Sequence, residues 1–314
     1  IPEGMPDPRK LLGFSDNRQD AALQAGHFND FIFLLTMRAG LIGALQNNGN
    51  TLTEEDLPKS VFKALGFEKN DLETLTEYMQ NPKAMGLARQ DAQRTLRFVL
   101  GYRLLRDLRR GWRFNNPNLD QVGILKIRYD SLQEFCAEEK LFGKSSNPVL
   151  RLLDLDNRAQ LCRILFDEMR RNLCLNSIYL DAVEQDKARS KAFTQLQDRW
   201  AFETDEVLET SRYLITESKA EYRGKTRSSY VSAAQRSRIL KVIKRASLWK
   251  TPALSIQVAA WKDDDWVKLV VELLELAKNW GFVSSEPLEN NVAGYRLNAS
   301  ALQWCLVAYR SGGC

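Results

Sequence analysis

The residues in this chain best suited to chemistry are cations. Lys219, Arg223, Lys225, Arg227, Arg236, Arg238, Lys241, Lys244, Arg245 and Lys250 are opposed between positions 219 and 250 by Glu221 alone. Ser228 or Ser229 is placed to cap a helix over 228–246, with Ile239, Val242, Ile243 and Ala246 on its buried side. Arg238, Lys241 and Arg245 then share another side at steps of three and four. Such a row neutralises phosphates and predicts nucleic-acid binding that depends on salt and little on sequence. Tyr222, Tyr230 and Trp249 are interleaved with it and are suited to stack on unpaired bases. The alternative use of the same face is docking onto an acidic partner subunit or domain.

A second candidate is the polar corner Ser15-Asp16-Asn17-Arg18-Gln19. The apolar run Leu11 to Phe14 before it is short enough for a strand in a covered parallel sheet. Asp16 with Gln19 resembles a capping box, after which Ala21, Ala25, Phe28, Ile32, Leu35, Ala39 and Ile42 predict one buried stripe along a long helix. A strand entering a helix through a polar corner is half of a βαβ unit, the place where open α/β sheets bind ligands.

Other chemistry lacks its parts. Gly143-Lys144-Ser145 and Gly224-Lys225-Thr226 have Glu138 and Lys219 where a phosphate-cradling loop needs its first glycine. Asp167-Glu168 and Asp205-Glu206 follow no apolar strand and read as helix charges, and no QxxGRxGR arginine-finger motif is present. His27 is the single histidine, and Cys136, Cys162, Cys174, Cys305 and Cys314 form no CxxC pair, which argues against zinc and for reduced thiols in a cytoplasmic protein. No catalytic residue and no metal ligand is therefore assigned.

These features need a scaffold, and 314 residues with 44% hydrophobic and 27% charged content suffice for two domains of a soluble globular kind. No apolar run is long enough to span a membrane, and the opening Ile1 fits a slice of a longer polypeptide. Residues 1 to 9, with three prolines, read as an extended lead-in and 47–51 as a loop, followed by helices from Thr53 to Leu65, over 71–79 and over 91–108. The last carries Arg94, Arg97, Arg103, Arg106, Arg109 and Arg110, read as a solvated face with DNA contact as the alternative. A β-prone run ends at Tyr129, and helices resume over 131–139, 147–155, 158–173 and 184–200, before an acidic stretch over 202–210.

Residues 252 to 304 read as a winged helix: a strand at Leu254, Ile256 and Val258, a helix from Asp263 to Trp280 stopped by Gly281, and a hairpin around 286–293. Asp263, Asp264 and Asp265 repel phosphate, which makes this wing a packing or clamp module.

Three stretches carry a family resemblance: Lys10 to Phe31 (KLLGFSDNRQDAALQAGHFNDF), Gly111 to Tyr129 (GWRFNNPNLDQVGILKIRY) and Gly294 to Trp304 (GYRLNASALQW). In this order they resemble very large bacterial superfamily-two DEAD/DEAH-box helicases, of DNA repair and of Druantia- and DISARM-like anti-phage systems. The resemblance implies a DNA-binding middle segment of an ATP-dependent translocase, with ATP and magnesium bound by the parent outside this chain. It places Ser15, Asn17, Arg18 and Gln19 against the DNA backbone or the interdomain cleft, and makes other domains of the helicase and defence-system subunits the partners. The expected fold is mainly α in three parts. Residues 1–50 are the opening strand and helix of a second RecA-like domain, 51–250 a helical insertion, and 251–314 a winged-helix-like α+β module.

Overall fold

A computed structural model describes residues 18–109, 117–203, 205–218 and 229–307, with side chains from residue 31 onward. The chain is mixed α/β and mostly helical. Helix α1 (Arg18–Asn47) leads through β1 (Thr51–Thr53) to α2 (Leu57–Ala64), α3 (Leu72–Tyr78) and the long α4 (Gly86–Asp107). Strand β2 (Leu125–Tyr129) precedes the short α5 (Leu132–Ala137), α6 (Glu139–Gly143) and α7 (Pro148–Leu152), then α8 (Leu155–Arg171), β3 (Leu175–Asn176) and α9 (Ala182–Gln195). The last third holds β4 (Tyr213–Ile215), β5 (Tyr230–Ser232), α10 (Arg238–Lys244), α11 (Pro252–Val258), α12 (Asp263–Trp280), the hairpin β6 (Val283–Pro287) and β7 (Ala293–Asn298), and β8 (Leu302–Leu306).

Local chemistry starts many of these helices. The Asp71, Asp154 and Asp181 carboxylates accept backbone N–H bonds at the starts of α3, α8 and α9, at 2.8, 2.8 and 3.0 Å. Gly281 closes α12 in the left-handed conformation, φ +98°, that glycine adopts without strain.

Two sheets tie distant segments together. β8 runs antiparallel between β1 and β2, so Thr51 faces Cys305 and Ile127 faces Trp304. In the second sheet β7 pairs antiparallel with β6 and, at Tyr295, with β4, and runs parallel to β3 at Leu297, while β4 runs parallel to β5. One hydrophobic core extends from Leu34 to Trp304 and crosses the boundaries expected at residues 50 and 250.

The structure corrects four local expectations. Among the described side chains of α1 the buried apolar residues are Leu34, Met37, Leu41, Ala44 and Leu45. Of the expected stripe Ile32, Leu35 and Ala39 face outward, Ile42 is half-buried against the core, and the side chains of Ala21, Ala25 and Phe28 lie outside those described. The helix is apolar on both sides, so periodicity could not choose between them. Thr51–Thr53, read as the end of a loop and the start of a helix, is a strand because β8 supplies a partner. Residues 252–258 are helical rather than a strand: Pro252 sits in the first turn with its φ preset, and Ile256 is exposed. The helix expected over 228–246 is reduced to α10, because Tyr230–Ser232 pairs with β4. The helix-then-hairpin order of α12, β6 and β7 is as expected.

Candidate nucleic-acid interface

The basic feature is organised by α10. Ser237 rather than Ser228 or Ser229 caps it, its hydroxyl accepting the Leu240 N–H at 3.1 Å. Ile239, Leu240 and Ile243 are buried, which turns Arg238, Lys241 and Arg245 to the surface. Arg236, just before the cap, is also exposed and holds a positive φ of 59°.

Each cation has a definite setting. The Arg238 Nε lies 3.5 Å from Oε2 of Glu168, a carboxylate only 2% exposed on α8 that Arg171 approaches to 3.6 Å. Lys244 turns away from the surface row and pairs with Asp263 in the first turn of α12, which departs from the expectation that it joins the phosphate face. That bond and the charge of Lys244 hold the Asp263 carboxyl below the usual range. Asp264 accepts from the Gln235 amide at 2.6 Å, and Asp265 from the Lys262 backbone N–H at 3.0 Å. The three aspartates read as a phosphate-repelling cluster are thus each engaged by a neighbouring donor. Of the interleaved aromatics, the two among the described residues are buried: Tyr230, and Trp249, whose indole N–H donates to the Ile243 carbonyl at 2.7 Å.

The second arginine row, on α4, turns inward rather than to solvent or DNA. Arg103 and Arg106 both pair with Glu206, and Arg109 pairs with Glu209. Arg103 also lies over the rings of Phe33 and Phe202. The acidic stretch 202–210 is the counter-charge of this row, a pairing between segments about a hundred residues apart in sequence that no local pattern discloses. Arg94 alone of these is fully at the surface among the described residues.

Other sequence candidates fall into structural roles. Asp167 accepts from the Tyr129 hydroxyl at 2.7 Å and from Arg170, which also reaches Asp120 at 2.8 Å. Ser145 of the Gly143-Lys144-Ser145 stretch donates to Glu272 at 3.0 Å, and Ser146 donates to the same carboxylate through both its N–H and its hydroxyl. Cys136, Cys162, Cys174 and Cys305 are buried, and burial pushes the Cys174 thiol up to about 12. No group of three His, Cys, Asp or Glu residues able to hold a metal ion occurs among the described residues. Among them, too, no helix is long and apolar enough to cross a membrane.

Ser15, Asn17, Arg223, Lys225 and Arg227 lie outside the described residues, as do Tyr222, Arg110 and Cys314. Arg18 and Gln19 open α1, with their side chains, and that of His27, likewise outside. No protein-family model matches the chain, and neither does any curated protein or solved structure.

Proposed function

We propose that this chain is a DNA-binding segment of an ATP-dependent DNA helicase or translocase, serving anti-phage defence or DNA repair. In this reading α1 belongs to the second RecA-like domain and α12 with its hairpin to a winged-helix-like module. In the described Gly143-Lys144-Ser145 stretch, Ser145 is bonded to Glu272. In this reading ATP and magnesium belong to the parent protein, outside this chain. This segment holds the strand while hydrolysis elsewhere moves the domains.

The observation that carries the reading is the surface of α10. Arg236, Arg238, Lys241 and Arg245 are exposed together; of the nearest aspartates, Asp263 pairs with Lys244 and also takes the Arg236 backbone N–H and charge, Asp264 accepts from Gln235 and Asp265 from the Lys262 N–H. A row of this kind attracts phosphate in any sequence. Ser15, Asn17, Arg18, Gln19, Arg223, Lys225 and Arg227 join the proposed surface from the sequence alone.

The test is fluorescence anisotropy of labelled DNA against the wild-type chain and a Lys241→Glu, Arg245→Glu variant. The reading requires binding by the first and at least a tenfold loss in the second; equal affinity rejects it. A second reading is favoured by the α4 row, because Arg103 and Arg106 show that this chain spends arginines on an acidic segment. In that reading α10 docks an acidic protein partner, and the same variant loses assembly while its DNA affinity stays unchanged.

A further inference from the structure

The segment 146–148 and the first turn of α12 enclose a cavity of about 240 Å³ lined by Ser146, Asn147, Pro148, Trp261, Asp265 and Lys268. We propose that this cavity receives an unpaired base of single-stranded DNA, stacked on Trp261; the proposal rests on the DNA-binding reading of α10 and extends it to strand preference. Four tryptophans and tyrosines occur between residues 229 and 268: Tyr230, Trp249, Trp261 and Trp266. All except Trp261 are buried, so it is the aromatic left to meet a ligand there.

The site is built rather than incidental. Trp261 is half-buried and held against Trp266 at a centroid distance of 4.9 Å and an interplanar angle of 73°. Trp266 in turn meets the buried Trp249 at 5.1 Å, which ties the platform to the segment following α10. Ser146, which also lines the cavity, is fixed by giving its N–H and hydroxyl to Glu272 at 2.8 and 2.9 Å. The Asn147 carbonyl oxygen accepts from Val149 and Leu150, which orients its amide NH₂ as a donor for a base edge. Asp265 receives Lys262 N–H on Oδ2 and keeps Oδ1 as an acceptor for an exocyclic amine.

The cavity adjoins the phosphate row. Lys244 pairs with Asp263, two residues from both Trp261 and Asp265, so the last turn of α10 is tied to the first turn of α12, whose Asp265 lines the cavity. Between residues 235 and 268 eight basic residues face three acidic ones, and Lys268 brings one of them to the cavity wall. Stacking on one face with cations alongside is the arrangement by which proteins hold single strands with little sequence preference.

The experiment compares three labelled probes at fixed salt: a short oligothymidylate, the same backbone with abasic sites, and a duplex. Trp261→Ala and Trp261→Leu are tested beside the wild type, the leucine keeping apolar packing against Trp266 without an aromatic face. The proposal expects both variants to bind oligothymidylate five- to a hundredfold more weakly, as loss of about one stacked base implies. It also expects abasic and duplex affinities within about twofold of wild type. Equal losses on all three probes, or no loss on oligothymidylate, overturn the proposal while leaving the α10 reading standing. A wild-type chain that binds none of the probes overturns both. Thermal melts of both variants accompany the titrations, and a variant that does not fold is replaced by Trp261→Met, which fills the site without an aromatic face and is held to the same expected loss.

Discussion

Arg238 sits with its Nε 3.5 Å from Oε2 of Glu168, so a surface cation of α10 is anchored on a carboxylate buried in α8. That Oε2 has no hydrogen-bond partner among the described residues, and the approaching guanidinium charges of Arg238 and Arg171 offset its burial. Arg238→Glu would place a second carboxylate there and should cost about 1–2 kcal/mol, a buried-pair penalty discounted for the exposure of Arg238. Lys241→Glu should stay within about 0.5 kcal/mol. Urea unfolding of the two variants checks this, and it is why Arg238 is left intact in the DNA-binding test.

The α4 row makes a complementary prediction. Glu206 is the shared partner of Arg103 and Arg106, all three with side chains at most 15% exposed. Glu206→Gln should lower stability by about 3 kcal/mol by leaving two buried cations without their carboxylate. DNA affinity should be unchanged, because this face points inward. A variant of wild-type stability would show that the pairing contributes nothing.

The two apolar sides of α1 can be told apart by substitution. Leu41→Ala should cost about 3 kcal/mol, the usual loss for a fully packed leucine, whereas Leu35→Ala should cost less than about 0.5 kcal/mol. Equal costs in urea unfolding would mean that Leu35 is covered.

Acid titration isolates Glu54. Burial raises its pKa above the ordinary 4.5, against the opposing hydrogen bond from the Ser177 hydroxyl. The folded state therefore holds the proton more tightly than the unfolded one. Its contribution is fully present below 4.5 and is lost as pH rises through the elevated folded value. Glu54→Gln should remove that loss, so its gain in melting temperature over wild type should be larger at pH 7 than at pH 4. An equal shift at both values would deny that Glu54 titrates between them.

How much of this was legible in the sequence depended on whether the deciding partner was local. α12 could be read because its aspartates, its stripe from Trp266 to Ala277 and Gly281 all lie within one helix. α10 could be read only in part: the stripe Ile239 to Ile243 was visible, but its start was set by Tyr230–Ser232 pairing with β4. The direction of the α4 arginines was hidden because Glu206 and Glu209 lie about a hundred residues downstream. β1 depends on β8 at the far end of the chain, and α1 carries leucines on both faces. Trp261 gave no signal, since a single aromatic in the Ala259-Ala260-Trp261-Lys262 loop has no periodic context. The corner at Ser15 to Gln19 owes its place in the proposal to its strand-to-helix pattern and to the family resemblance.

Salt dependence tests the central claim most directly, that α10 presents cations to phosphate. With about four phosphates neutralised, the affinity of the wild-type chain for duplex DNA should fall about 150-fold between 50 and 200 mM salt. The Lys241→Glu, Arg245→Glu variant should show a log–log slope shallower by about two. Binding that is insensitive to salt, or a variant with the wild-type slope, would contradict the account.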